Sequence, residues 1–173
     1  MKAPKERNKI VMANTYSQIY IHAVFAVKGR ENLIQKKWKD ELYKYICGIV
    51  NGNHQKVYAI NGMPDHLHLL LSLKPDCPLS DLMRDIKANS SKWINLKGFV
   101  AGKFQWQEGF GAFSCSQSQL DNVIAYIDNQ EAHHSQKSFR EEYTGLLEKY
   151  KIDFNEKYVF EWIEKDAAPT ELK

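Results

Sequence analysis

A ten-residue run, PDHLHLLLSL at residues 64–73, constrains the fold more than any other stretch. Its apolar content reads as a buried β-strand, joined through a Met-Pro-Asp turn to a second short strand, KVYAINGM at 56–63. Residues two apart on a strand point to the same face, about 7 Å apart along the chain. Leu67, Leu69 and Leu71 therefore fill one face, while His66 and His68 share the other and look outward. Two imidazoles converging from one strand can each give a nitrogen to a single divalent ion. Two packed, hydrogen-bonded histidines would leave the same pattern, so the pair alone keeps both readings open.

Upstream, YSQIYIHAVFAVKG alternates, with Ile19, Ile21, Ala23, Phe25 and Val27 on one face and Tyr16, Gln18, Tyr20 and His22 on the other. That is a half-buried first strand. Leu42, Ile46 and Ile49–Val50 recur at helical spacing, predicting a helix over about 33–50 that NGN at 51–53 stops. Ser80 is placed to cap a helix running to about Leu96, with Leu82, Met83, Ile86, Trp93 and Ile94 as its apolar side. Residues 103–115 read as a fourth strand segment interrupted by glycine. Ser118 with Asp121 resembles a capping box opening the helix LDNVIAYIDNQEAHH, and Ser138 with Glu141 repeats the signature before SFREEYTGLLEKY. The order β-α-β-β-α-β with helices appended predicts an α+β fold, a ferredoxin-like (split βαβ) antiparallel sheet. Fold alone names no function.

The second-to-last helix carries more than apolar residues. At about 100° per residue, Leu120, Val123, Ile124 and Ile127 form one stripe. Tyr126 and Gln130 stand one turn apart beside it, and His133 follows on the same side. Gln130 offers a carbonyl oxygen as a hard ligand, and Tyr126 a phenolic nucleophile. A packed tyrosine with its hydroxyl in water, beside a surface glutamine, is the alternative.

At 173 residues with 43% hydrophobic content the chain is long enough for one domain with a real core. No run approaches the roughly 18 apolar residues of a membrane span, and the N-terminus is no secretory signal. Cys47, Cys77 and Cys115 are odd in number and lack a CxxC, which argues against a disulfide framework or thiolate zinc site and for a cytoplasmic protein. Charge is uneven. Residues 1–110 hold 17 Lys/Arg against 9 Asp/Glu, and 111–173 hold 7 against 12. A basic front half with interleaved aromatics, as in KANSSKWINLKGF, suits a phosphate backbone. The expected organisation is a basic, disordered arm at 1–13, a folded domain over 14–150, and a tail at 151–173 partly docked through Phe154, Tyr158, Phe160 and Trp162.

Four stretches together carry a resemblance: YSQIYIHAVFAVKGR, MPDHLHLLLSL, WQEGFGAFSCSQS and VIAYIDNQEAHHSQKSFREEY, in order over about residues 14–160. The chain resembles the single-tyrosine HUH transposases of the smallest bacterial insertion sequences (the IS200-like transposases), including the REP-associated tyrosine transposases. The U of the motif is Leu67. The resemblance implies the HUH endonuclease fold, with His66, His68 and Gln130 holding Mg²⁺ or Mn²⁺. It implies that Tyr126 attacks a scissile phosphate in single-stranded DNA beside a hairpin, leaving a 5′-phosphotyrosine link and a free 3′-OH. It further implies a homodimer, with the tyrosine helix lying over its own or its partner's histidines. Asp65, which recurs in the family's pattern, either orients the histidines or caps the turn. His22, on the histidine face if its strand neighbours theirs, reads as a packed histidine before a ligand. His133 and His134, ending the tyrosine helix, are secondary candidates. Arg84, Lys87, Lys92 and Trp93 are candidates for contacting DNA phosphates or stacking on an unpaired base.

Elementary chemistry fits that set. A phenol with a pKa of about 10 stays protonated near neutrality, and a phosphodiester repels an oxyanion. A divalent ion polarises the phosphate oxygens and orients the group for in-line attack. The phosphotyrosine ester keeps the energy of the cleaved bond, so no nucleotide cofactor is needed, in keeping with the lack of a GxxxxGK[ST] loop. Two rival readings stay open: a non-catalytic protein that binds DNA hairpins, and an unrelated ferredoxin-like metal-binding or regulatory protein.

Overall fold

The computed structural model describes residues 15–155 and residue 159. The expected arm at 1–13 lies outside the described residues, as do Tyr158, Phe160 and Trp162 of the tail. The described elements are β1 (Tyr20–Ala26), α1 (Lys36–Gly52), β2 (Lys56–Met63), β3 (His66–Ser72), α2 (Leu79–Lys97), β4 (Gly111–Cys115), α3 (Leu120–Asp128), α4 (Gln130–His134) and α5 (Phe139–Lys149). Their strands form one sheet in the order β2-β3-β1-β4, every neighbouring pair antiparallel. This is the expected ferredoxin-like arrangement, and it puts the histidine strand at the centre beside β1.

One face of the sheet carries the main core. Ala23, Phe25 and Val27 of the β1 segment and Leu67, Leu69 and Leu71 of β3 meet Trp38, Leu42, Ile46 and Val50 of α1 and Leu82, Met83, Ile86 and Ile94 of α2. Each fully buried leucine or isoleucine here contributes about 1.5–3 kcal/mol over leaving it exposed. The other face is also covered, contrary to the expectation that β1 is half-buried and the histidines look outward. Leu70 packs with Leu120 and Ile127 of α3, while Val24, Ala26 and Phe113 pack with Phe139 and Leu147 of α5. The appended helices form a second layer, so the histidines lie between sheet and helices.

Local signals differ in four places. α2 starts after Pro78 rather than at a Ser80 cap, since Pro78 already has the extended backbone an N-cap needs and Ser80 is inside the first turn. It ends at Gly98, whose φ of 65° is the left-handed C-terminal cap that favours glycine. The fourth strand is confined to Gly111–Cys115; residues 103–110 are held to β1 by an isolated bridge between Val27 and Trp106 and otherwise turn. The reciprocal bond before the tyrosine helix comes from Ser116 and Gln119, with Gln119 Oε1 accepting from the Ser116 amide at 3.1 Å, and not from Ser118 and Asp121.

The fourth difference is the largest. The helix expected to run unbroken to His134 is interrupted at Asn129, whose φ/ψ of −94°/24° is non-helical. Asn129 Nδ2 bonds back to the Ala125 carbonyl at 2.8 Å, a local competitor of helical pairing. Asn61 Nδ2 on β2 then donates to the carbonyls of Ile127 and Asp128 at 3.0 Å each. Those are the carbonyls an unbroken helix would offer to residues 131 and 132. The Ser138–Glu141 capping box forms as expected, with the Ser138 amide donating to Glu141 Oε2 at 2.8 Å.

Candidate metal and nucleophile site

The register of the sheet assembles the site. Across β1 and β3, His68 stands opposite Val24 and His66 opposite Ala26, small partners that leave room above the sheet for two rings. Both histidines are fully buried. His66 is fixed from behind: its Nδ1 faces Asp65 Oδ1 at 2.7 Å, and Asp65 Oδ2 accepts from Arg30 Nε and Nη2 at 3.0 and 2.7 Å. The Phe139 ring stacks on the His66 ring with centroids 4.0 Å apart. His68 is fixed from the side, with its Nδ1 2.9 Å from His22 Nε2. In each case the second ring nitrogen is left to face the helical layer, the arrangement that orients a histidine toward a metal.

That layer supplies the facing polar groups. α3 brings Tyr126, whose ring centroid lies 5.9 Å from that of His68. α4 brings Gln130 and His134, and α5 brings Glu142. The Tyr126 hydroxyl donates to Glu142 Oε1, and Gln130 Nε2 donates to the same oxygen at 3.1 Å. Glu142 Oε2 looks the other way, 2.8 Å from His134 Nε2, 3.4 Å from His68 Nε2 and 3.7 Å from His66 Nε2. His133 Nε2 approaches Oε1 at 3.6 Å. Glu142 is only 5% exposed. One carboxylate thus touches the tyrosine with one oxygen and the histidines with the other.

Electrostatics follow from that packing. Burial and the neighbouring His68 hold His22 down at about 3, although the Glu142 charge pulls the other way. Burial likewise lowers His66 to about 4 against the opposing Asp65 bond, so both rings are neutral at pH 7. Burial works to raise Glu142, but the bonds from His134 and His68 outweigh it and the carboxyl lies far below its ordinary range. Tyr126 is pushed well above an ordinary phenol by burial, then by the charge and hydrogen bond of Glu142.

These residues fit a divalent cation. His68 Nε2, Gln130 Oε1, His133 Nε2 and Glu142 Oε2 are buried without a well-aligned hydrogen bond. Buried polar atoms are normally satisfied, so a concentration of orphans in one place calls for a missing partner. His66, His68, His134 and Glu142 offer ligand atoms that all lie within 4.8 Å of one another.

Of the residues singled out in the sequence, the structure brings together His66, His68, Tyr126, Gln130, Asp65, His22, His133 and His134. Gln130 reaches the site through Glu142 rather than aiming its amide oxygen at a hydrogen-bond partner. The basic candidates do not join it, because α2 lies on the opposite face of the sheet. Arg84 pairs with Asp81 at 2.9 Å, and Lys87 Nζ donates to the Gln107 and Gly109 carbonyls at 2.5 and 2.7 Å. Lys92 is exposed nearby, and all three line a groove of about 620 Å³ between α2 and residues 103–110. Trp93 stacks on Tyr45 at 4.8 Å and packs edge-on against Phe99, which occupies the ring that was a candidate for stacking on a base. Glu142 is the residue that sequence reasoning missed. Its signal is present: three residues after Phe139 and four before Leu146, it sits within the apolar stripe of α5, where a carboxylate is out of place.

Comparison with known proteins identifies the family. The family model described as Transposase IS200 like matches residues 15–130, from the start of the described chain to Gln130. The ISDra2 transposase TnpA of Deinococcus radiodurans is 26% identical over 118 residues, covering 65% of this chain and 84% of that protein. Among solved structures, a transposase from Deinococcus radiodurans R1 superposes with a TM-score of 0.54 at 23% identity, covering 75% of this chain and 98% of that one. A REP-associated tyrosine transposase bound to a REP hairpin superposes with a TM-score of 0.56 at 17% identity, covering 82% and 88%. Both structural likenesses show the shared fold. With the match spanning most of the folded chain, and both the histidine pair and the tyrosine inside it, the chain belongs to the IS200-like transposase family.

Proposed function

We propose that this protein is a metal-dependent transposase that cuts and rejoins single-stranded DNA beside hairpins through a 5′-phosphotyrosine intermediate on Tyr126. The observation that carries the reading is the meeting of Tyr126 with the buried histidine pair around orphaned ligand atoms. His66 and His68 would hold Mg²⁺ or Mn²⁺, with a further donor from the tyrosine side, where Gln130 and Glu142 lie. A bound divalent ion would supply positive charge to the scissile phosphate and offset the negative charge that Glu142 places beside the phenol. Tyr126 would form its O–P bond as the bond to the 3′-oxygen breaks, its phenolic proton passing to Glu142 Oε1 or water, and the departing 3′-oxygen takes up one proton to leave as a hydroxyl. The reverse step at a new junction rejoins the strand without a nucleotide cofactor. The hairpin partner is supported by the relative whose structure contains one. The resemblance implies a homodimer, and the residues assigned here are those of a single chain.

The test uses labelled single strands copied from the DNA flanking the gene, each with its hairpin. They are incubated with protein and Mg²⁺ or Mn²⁺ and then denatured. A covalent protein–DNA band that disappears with EDTA and in Tyr126→Phe is the expected result. Tight hairpin binding with no band, from folded protein and with both metals, would assign the non-catalytic binding role instead.

A further inference from the structure

Glu142 and His134 lie beyond the family match, which ends at Gln130, yet they occupy the centre of the site. Resting on the reading above, we infer that α5 supplies a carboxylate to the metal centre: Glu142 Oε2 and His134 Nε2 join His66 and His68 as ligands, while Glu142 Oε1 holds the Tyr126 hydroxyl. Nucleophile and metal are thereby tied to the two oxygens of one side chain.

The hydrogen-bond roles leave a place for a cation there. A neutral imidazole carries one N–H. On His66 that N–H belongs on Nδ1, where it meets the Asp65 carboxylate at 2.7 Å. Its Nε2 is then a bare lone pair, 3.1 Å from His134 Nε2 and 3.7 Å from Glu142 Oε2. His68 Nε2 and Glu142 Oε2, both more than nine-tenths buried, also lack a well-aligned partner. Without metal, a proton on His134 Nε2 would answer Glu142 Oε2 at 2.8 Å; a divalent ion seated among the four ligand atoms, which lie within 4.8 Å of one another, would displace it and engage every lone pair at once. Gln130 has a different part. Its amide nitrogen donates to Oε1 and so fixes which way the Glu142 carboxylate faces. The Gln130 Oε1 is buried without a hydrogen bond as well; we assign the oxygen ligand to the carboxylate and a positioning role to Gln130, and Gln130→Ala tests the amide oxygen in its place.

Three imidazoles and one carboxylate form a set poorly suited to Mg²⁺, which prefers all-oxygen surroundings, and well suited to Mn²⁺ and the later first-row ions. The set also makes metal binding a clamp on α5, since one ligand stands on that helix and two on β3.

Mn²⁺ binding, followed by loss of the free-ion EPR signal, separates the possibilities. Wild type, His68→Ala, Glu142→Gln and Gln130→Ala are titrated alongside circular dichroism. Glu142→Gln is expected to weaken Mn²⁺ at least tenfold, Gln130→Ala to weaken it less, and His68→Ala to abolish it. Wild type is expected to prefer Mn²⁺ to Mg²⁺ in competition. Wild-type hydrogen exchange gives an independent reading free of folding artefacts: Mn²⁺ should slow the amides of α5 together with those of β3. If Glu142→Gln binds like wild type, if the loss falls on Gln130→Ala instead, or if Mn²⁺ protects β3 and leaves α5 unchanged, the inference is overturned while the histidine-pair reading stands. If the wild type binds no Mn²⁺ at all, the inference and the metal-dependent function fall together.

Discussion

Asp65 grips His66 and Arg30 at once, Oδ1 lying 2.7 Å from the imidazole Nδ1 and Oδ2 taking two guanidinium nitrogens. The carboxyl is held below its usual range: burial opposes this, but the His66 and Arg30 interactions prevail. Of the two roles the sequence offers Asp65, the contact favours the one that fixes the orientation of the His66 ring. Replacing Asp65 by Asn removes the anionic acceptor without changing the shape. Metal affinity measured by calorimetry should fall about 10- to 100-fold, the usual cost of losing a group that orients a ligating histidine. Unchanged affinity would mean that Phe139 stacking alone sets the ring.

Metal should also stabilise the fold. A ligand that binds only the native state adds about 2.7 kcal/mol when present at 100 times its Kd. Thermal melts in EDTA and in saturating Mn²⁺ should differ accordingly, and the difference should shrink in His68→Ala. Equal melting temperatures for the wild type under both conditions would contradict a native-state metal site.

The metal-free protein should be acid-labile in a defined window. His22 and His66 stay neutral when folded down to about 3 and about 4, whereas unfolded histidines take up protons from 6.5 downward. Between those values the unfolded chain binds more protons, so stability falls as pH drops from 6.5 toward 4. Glu142, depressed in the fold, adds a loss of the same sign below its ordinary 4.5. Denaturant melts in EDTA at pH 7.5, 6 and 5 check this, and a flat profile across them would refute it.

Gly62 should tolerate no side chain. A Cβ there would lie 2.2 Å from the His66 carbonyl oxygen and 2.8 Å from Leu67 Cδ2, contacts that backbone must move to relieve. Gly62→Ala should cost about 1–3 kcal/mol, as overpacking does. Because the displaced carbonyl belongs to His66, Mn²⁺ affinity should drop along with stability; a stable variant with normal affinity would show that β2 yields freely.

Much of this architecture could be read from periodicity. Alternation around His66 and His68 placed the leucines on the α1–α2 face, and the Tyr126–Gln130 spacing placed both on one side of their helix. What escaped was non-local. Periodicity describes one element at a time, so it could not show that α3, α4 and α5 roof the histidine face. Nor could it show that Asn61, on a strand, would take the carbonyls at which the tyrosine helix breaks. Glu142 was hidden differently, since a glutamate just past a capping box looks like favourable charge in a first helical turn. Its place in the stripe between Phe139 and Leu146 is the opposing signal, and the packing of α5 against the sheet decides between the two.

The bond from Asn61 to the Ile127 and Asp128 carbonyls has a kinetic consequence. It latches the tyrosine helix to the sheet of its own chain, beside His66 and His68. With Tyr126 as nucleophile in this arrangement, strand cleavage is expected to be first order in protein, and a second-order dependence would put a partner's tyrosine helix over the histidines instead. In the first-order case the turnover per molecule would hold on dilution to concentrations where copies of the chain no longer meet.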